Sequence, residues 1–274
     1  MKFAVCNEMF GKRDIEWVFE FAAKAGFSGV EIAPFTLAES VTEIPAKRRK
    51  EIREAAKKQG VEVVGLHWLL VSPKGLCLNC LDDEVRSRTL EYFKALIEFC
   101  GDIGGSVMVI GSPKQRSVPD GLPHDRIWRL TKQFLTDCLP VAKRRAVTLC
   151  LEPLARQETN FINTAAEAIR MIEQVRSSYL KLHLDVKAMA DEARPMEGII
   201  ESARGYLSHF HANDPNRKGP GFGETDFVPI FRALKQIGYS DYVSMEPFDY
   251  GPDPLAMASE GLAYLKKCHA AATI

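Results

Sequence analysis

Four side chains able to ligate a metal recur at matching places in the second half of the chain. The runs Val147-Thr148-Leu149-Cys150-Leu151-Glu152, Leu180-Lys181-Leu182-His183-Leu184-Asp185, Leu207-Ser208-His209-Phe210-His211 and Tyr242-Val243-Ser244-Met245-Glu246 each end on a carboxylate or an imidazole. One carboxylate in such a place usually meets solvent or caps a turn. Four in succession point to something shared. Three carboxylates brought together repel unless protons or a cation compensate. With one imidazole added, Glu152, Asp185, His211 and Glu246 suit a single divalent metal ion, Mn²⁺ first, with Mg²⁺, Co²⁺ or Zn²⁺ also compatible. A cation with two positions left for substrate oxygens is a Lewis acid, able to ease removal of a proton beside a carbonyl.

That chemistry requires the four ends to meet. Each run is short, apolar or β-branched, and is followed by a longer amphipathic stretch, which is the rhythm of alternating strands and helices. It covers the whole chain. The strands expected are Lys2–Val5, Gly29–Ile32, Val61–Leu66, Ser106–Ile110, Val147–Glu152, Leu180–Asp185, Leu207–His211 and Tyr242–Glu246. Helices are expected to begin near Asp14, Pro45, Asp82, Asp125, Thr164, Pro195, Phe227 and Pro254, several on an N-cap residue or a first-turn proline. Gly26, Gly60 and Gly238 mark helix stops. Alternation implies parallel strands with right-handed crossovers. Eight units with no glycine-rich dinucleotide turn after the first strand favour an α/β fold of the (β/α)8 TIM-barrel type, one domain over residues 1–274. In such a barrel, strand ends and the loops after them form the site. The loops Leu69–Leu81, Gly111–His124 and Asn213–Asp226 are the long ones. With side chains alternating, Cys150, His183, His209 and Ser244 fall one layer deeper, either orienting the ligands or satisfied within the core. Glu31 reads as a buried carboxylate paired with a barrel cation, and Trp68 as core packing.

Composition narrows the partners. Lys+Arg and Asp+Glu each number 36, a balance that argues against an overall basic footprint for nucleic acid or anionic lipid but leaves room for a local patch. No apolar run reaches the ~18 residues of a membrane span, and the N-terminus turns polar at Asn7-Glu8 too early for a signal peptide. The expectation is a cytoplasmic chain with no nucleic-acid and no membrane partner. Seven cysteines without an export signal read as reduced thiols. Cys77 and Cys80 have metal or redox spacing but lack a second pair, so a loop beside a helix start accounts for them.

Over essentially its full length the sequence resembles the xylose-isomerase-like TIM barrels of sugar isomerases and epimerases, most closely the ketose 3-epimerases acting on D-tagatose and D-psicose. The resemblance is carried by Leu151-Glu152-Pro153, Leu184-Asp185, His211 through Asn216-Arg217, Pro220-Gly221-Phe222-Gly223 and Met245-Glu246-Pro247-Phe248. It implies Glu152, Asp185, His211 and Glu246 as ligands, Glu152 and Glu246 as the acid/base pair, Glu158 and Arg217 as substrate contacts and Phe248 as an apolar wall. It also implies a carbohydrate substrate and a homodimer or homotetramer. His67, beside Trp68 at the end of the third strand, is a further candidate substrate contact. The resemblance breaks at Ala188, where the family has a histidine near the substrate carbonyl; Lys187 is the candidate replacement.

The reaction expected is C3 epimerisation of a ketose or keto-sugar through an enediolate, one glutamate removing a proton and the other returning one to the opposite face. A lyase acting on an inosose or a 3-keto-glycoside would begin with the same proton abstraction. A DNA-repair hydrolase on this barrel would need two or three metals and more histidines than the six present. A non-catalytic sugar-binding barrel would have no use for two opposed bases.

Overall fold

The computed structural model describes residues 1–273. Eight parallel strands close into a barrel in sequence order: β1 (Lys2–Cys6), β2 (Gly29–Ile32), β3 (Glu62–Leu66), β4 (Val107–Ile110), β5 (Thr148–Leu151), β6 (Leu180–Asp185), β7 (Leu207–Ala212) and β8 (Tyr242–Met245), with β8 pairing back onto β1. The expected strands are all present, shifted by at most one residue at either end.

Between them lie α1 (Ile15–Ala25), α2 (Ala46–Gln59), α3 (Asp83–Ile103), α4 (His124–Arg145) and α5 (Ala165–Val175), then α6 (Val186–Met189), α7 (Met196–Ser202), α8 (Phe227–Gln236) and α9 (Pro254–Ala271). Their starts follow local chemistry. Asp82 accepts from the backbone N–H groups of Glu84 and Val85, and Thr164 and Glu167 form a reciprocal capping box. Gly26 and Gly60 end α1 and α2 in the left-handed conformation. Among the described residues, the one α-helix the rhythm does not announce is α6, a single turn springing directly from Asp185, whose carboxylate caps it by accepting from Ala188 N.

Apolar packing lies mainly between strands and helices, where Phe19, Phe93, Phe99 and Phe231 are fully buried. Truncating one of these to alanine would cost about 3–5 kcal/mol. The barrel interior is different. Register sets Asp185 opposite His211 and, one layer down, His183 opposite His209. Glu31, His183, His209 and Ser244 are wholly buried. At Gly65 a Cβ would sit 1.9 Å from the Val107 carbonyl oxygen, so the β3–β4 approach requires glycine. Among the described residues no helix is long and apolar enough to cross a membrane.

Candidate active site

Glu152 and Glu246 each lie one residue beyond their strand, and both line one cavity at the C-terminal mouth of the barrel. His67, Trp68, Ser112, Glu158, Lys187 and Phe248 complete most of its wall. Ligand atoms of Glu152, Asp185 and His211 lie within 4.8 Å of one another, and His211 Nδ1 is 2.9 Å from Glu246 Oε2. Three of the expected ligands thus share one metal-competent group, and Glu246 adjoins it through His211 while grouping itself with Glu8 and His67.

The backbone around Glu152 is shaped for it. A Cβ on Gly111 would fall 2.1 Å from Glu152 Oε2, so only glycine leaves the carboxylate its place. Arg116, fully buried, donates from Nη2 to the Glu152 carbonyl oxygen at 2.6 Å and from Nη1 to the Ile110 carbonyl. Burial lowers its pKa to about 10, with Glu152 and Glu158 opposing the fall. Asn213, two residues past His211, donates to Asp185 Oδ2 and to the Glu246 carbonyl oxygen and accepts from Lys187 N at 2.9 Å. One buried amide thus ties β6, β7 and β8 together above the ligands.

Beneath them sits a carboxylate ringed by histidines. Glu31 Oε2 is 2.7 Å from His209 Nε2 and 3.1 Å from His211 Nε2, and Glu31 Oε1 is 3.7 Å from His67 Nδ1. Burial works against ionising Glu31, yet His209 and His211 outweigh it and hold the carboxyl well below its usual range. His211 is raised well above the ordinary imidazole value: burial pulls it down, and Glu246 and Glu31 more than reverse this. Glu152 goes up, first through burial and then through Glu246 and Asp185.

Those surroundings fit a divalent cation. Two buried carboxylates and an imidazole nitrogen lie close enough to hold one ion, with the Glu246 carboxylate against that imidazole, and the mutual repulsion felt by Glu152 is what a bound cation would relieve.

The remaining sequence candidates divide. Glu158 reaches the cavity but is paired with Lys187, Oε2 to Nζ 2.7 Å. Phe248 lines the wall, with Lys187 Nζ 4.8 Å and Arg217 Cζ 5.7 Å from its ring centroid. Arg217 itself is exposed and outside the cavity lining, on a left-handed backbone (φ 73°) whose carbonyl accepts from Phe248 N and Asp249 N. His67 is buried at the cavity wall, its Nε2 2.8 Å from Glu8 Oε2. Trp68 is not core packing. It is half-buried on the cavity wall at φ 53°, a region a bulky L-residue enters at a cost of about 1–2 kcal/mol. His209 bonds to Glu31, whereas both ring nitrogens of buried His183 lack a partner among the described residues. Cys77 and Cys80 lie in the loop before α3 and join no metal-competent group there.

The fold and this site place the chain in a family. It belongs to the xylose isomerase-like TIM barrels, whose family model matches residues 19–268. It is similar to the D-psicose 3-epimerase of Ruminiclostridium cellulolyticum, 29% identical over 239 residues covering 86% of this chain and 78% of that protein. It is also similar to the 3-dehydro-D-guloside 4-epimerase of Escherichia coli, 26% identical over 282 residues, covering 98% of this chain and all of the relative (100%). The crystal structure of D-psicose 3-epimerase with D-tagatose from Clostridium cellulolyticum H10 superposes with a TM-score of 0.89 at 24% identity, over 98% of this chain and 99% of that one. That superposition speaks for the fold.

Proposed function

We propose that this chain is an isomerase, a divalent-metal-dependent epimerase of a keto-sugar, with Glu152 and Glu246 as its proton-transfer pair. The observation that carries the reading is their meeting in one cavity, with Asp185 and His211 beside them. That the relatives are named epimerases of ketoses and of a keto-glycoside supports the same class.

Glu152, Asp185, His211 and Glu246 would hold the cation, Mn²⁺ first. When bound, it supplies a Lewis acid that lowers the energy of removing a proton beside a ketone. The protein does the rest. One glutamate oxygen removes the proton from one face of the sugar carbon, and the other glutamate delivers a proton to the opposite face, so the centre inverts. Running the reaction backwards exchanges their roles. Gly111 and Arg116 hold Glu152 in position, while Asn213 and the Glu31–histidine cluster orient Asp185 and His211. Lys187 and Glu158 offer a donor and an acceptor to substrate hydroxyls, Lys187 serving the wall from which Ala188 withdraws a side chain. Arg217 acts from outside the cavity, either over Phe248 or on a substrate group that reaches the mouth. A small carbohydrate is the partner, and the chain works as a cytoplasmic homodimer or homotetramer.

The test is proton NMR in D₂O with Mn²⁺-loaded protein and a panel of ketoses and keto-glycosides. Deuterium should enter beside the carbonyl and an epimer should accumulate, both abolished by chelator. Loss of a β-substituent instead of an epimer would make the protein a lyase. No exchange with any member would sink the reading.

A further inference from the structure

Trp68 presents aromatic surface at the mouth of the cavity that the proton-transfer machinery does not use. It follows His67 immediately, is half-buried, and shares the cavity wall with Glu152 and Glu246. Its backbone sits at φ 53°, where glycine or asparagine would be at ease and a bulky side chain is held against a steric preference. Strain of that kind persists only where the surroundings fix the side chain. Here the fixing partner is Phe248, whose ring meets the indole edge-on, centroids 6.2 Å apart at 75°. Phe248 is already engaged by cations, with Lys187 Nζ at 4.8 Å and Arg217 Cζ at 5.7 Å. It is a buttress, and Trp68 is the plate it supports.

We propose that Trp68 is a stacking platform for a closed pyranose ring, and hence that the substrate is a keto-glycoside rather than an open-chain free ketose; this rests on the keto-sugar reading above. An extended ketose shows hydroxyls and hydrogens on every side and has no flat apolar face. A pyranose gathers axial C–H bonds on one face, and their weakly positive hydrogens are drawn to the negative face of an aromatic ring. The ring hydroxyls point outward, within the reach of a wall that carries the Lys187–Glu158 pair.

The experiment compares Mn²⁺-loaded wild type, Trp68→Phe and Trp68→Ala, titrated calorimetrically with methyl 3-keto-β-D-glucopyranoside and with D-psicose. Trp68→Ala should weaken the glycoside about tenfold and leave D-psicose within about twofold, while Trp68→Phe restores most of the difference. Indole emission of the wild type should shift on adding the glycoside, and Trp68→Phe, which keeps Trp17 and Trp128, should lose that response. Equal effects on both sugars, no effect on either, or an emission shift that survives Trp68→Phe would overturn the platform. Should Trp68→Ala melt early, Trp68→Phe and the emission change decide alone. Glycoside binding without proton exchange would keep the platform and remove the epimerase reading; neither binding nor exchange would remove both.

Discussion

The Nε2 of His211 lies 3.1 Å from Oε2 of Glu31, a wholly buried carboxylate 180 residues away in sequence. A ligating imidazole must present a lone pair from one nitrogen while the other carries the proton. Glu31 accepts from Nε2, which leaves Nδ1 facing Glu246, Oε2 2.9 Å away.

Glu31→Ala should therefore weaken Mn²⁺ binding about 10- to 100-fold, read by calorimetric titration of the apoprotein. Glu31→Gln, whose amide oxygen still accepts, should lose less. Unchanged affinity in both variants would show that His211 is oriented by something else.

Gly111→Ala adds a methyl group where Glu152 Oε2 now sits, 2.1 Å away. Displacing that oxygen by even an ångström should lower turnover about 100-fold. The loop can yield outward, so the melting temperature should fall by only a few degrees. A variant with wild-type turnover would show that the position of Glu152 is not critical.

In the metal-free protein, stability should depend on pH through His67. Burial favours the neutral ring, but Glu8, Glu31 and Glu246 outweigh it and raise the pKa from 6.5 to about 9. A pKa raised on folding stabilises fully below the unfolded value, near 6.5, and the stabilisation is lost as pH rises through about 9. The span corresponds to about 3 kcal/mol. Urea denaturation of apoprotein at pH 6 and pH 10 should show this loss, and Glu8→Gln should shrink it. A flat profile would contradict the pairing of His67 with Glu8.

Of the seven cysteines, five are buried, and only Cys77 and Cys80 are partly accessible. Burial, and then neighbouring Cys77, pushes the Cys80 thiol up to about 11, so it reacts slowly at pH 8. A thiol reagent should titrate two groups at most in the native protein and seven in denaturant. A third fast thiol in the native state would place one of the buried five at the surface.

Most of the scaffold was legible because local signals and a global rhythm agreed. Asp82, Thr164, Gly26 and Gly60 mark helix ends by their own chemistry, and alternation of apolar runs with amphipathic stretches implies the parallel barrel. That Glu152, Asp185, His211 and Glu246 stand at strand ends on one face of the barrel was legible because period two and strand order place them without knowledge of any contact. Contacts between distant segments were harder. Glu31 was readable as a buried carboxylate, but its histidine partners come from β7 and from the residue just after β3. Arg116 and Asn213 look like ordinary loop residues until the loops pack over the barrel, and a charged or amide residue in a loop is usually solvated. Trp68 misled for the same reason: a tryptophan after a strand is more often packed inward, and only the positive φ turns it to the mouth. Lys187 was marked by a gap at Ala188; its partner Glu158 sits far off in sequence, on the loop between β5 and α5.

The most direct test concerns the two glutamates. Each epimer of the substrate carries its reacting proton on one face, so each should need a different base. With Mn²⁺ bound, Glu152→Gln should exchange solvent deuterium into one epimer only, and Glu246→Gln into the other only, neither variant interconverting them. Exchange into both epimers by either single variant, at more than about a hundredth of the wild-type rate, would contradict a two-glutamate transfer.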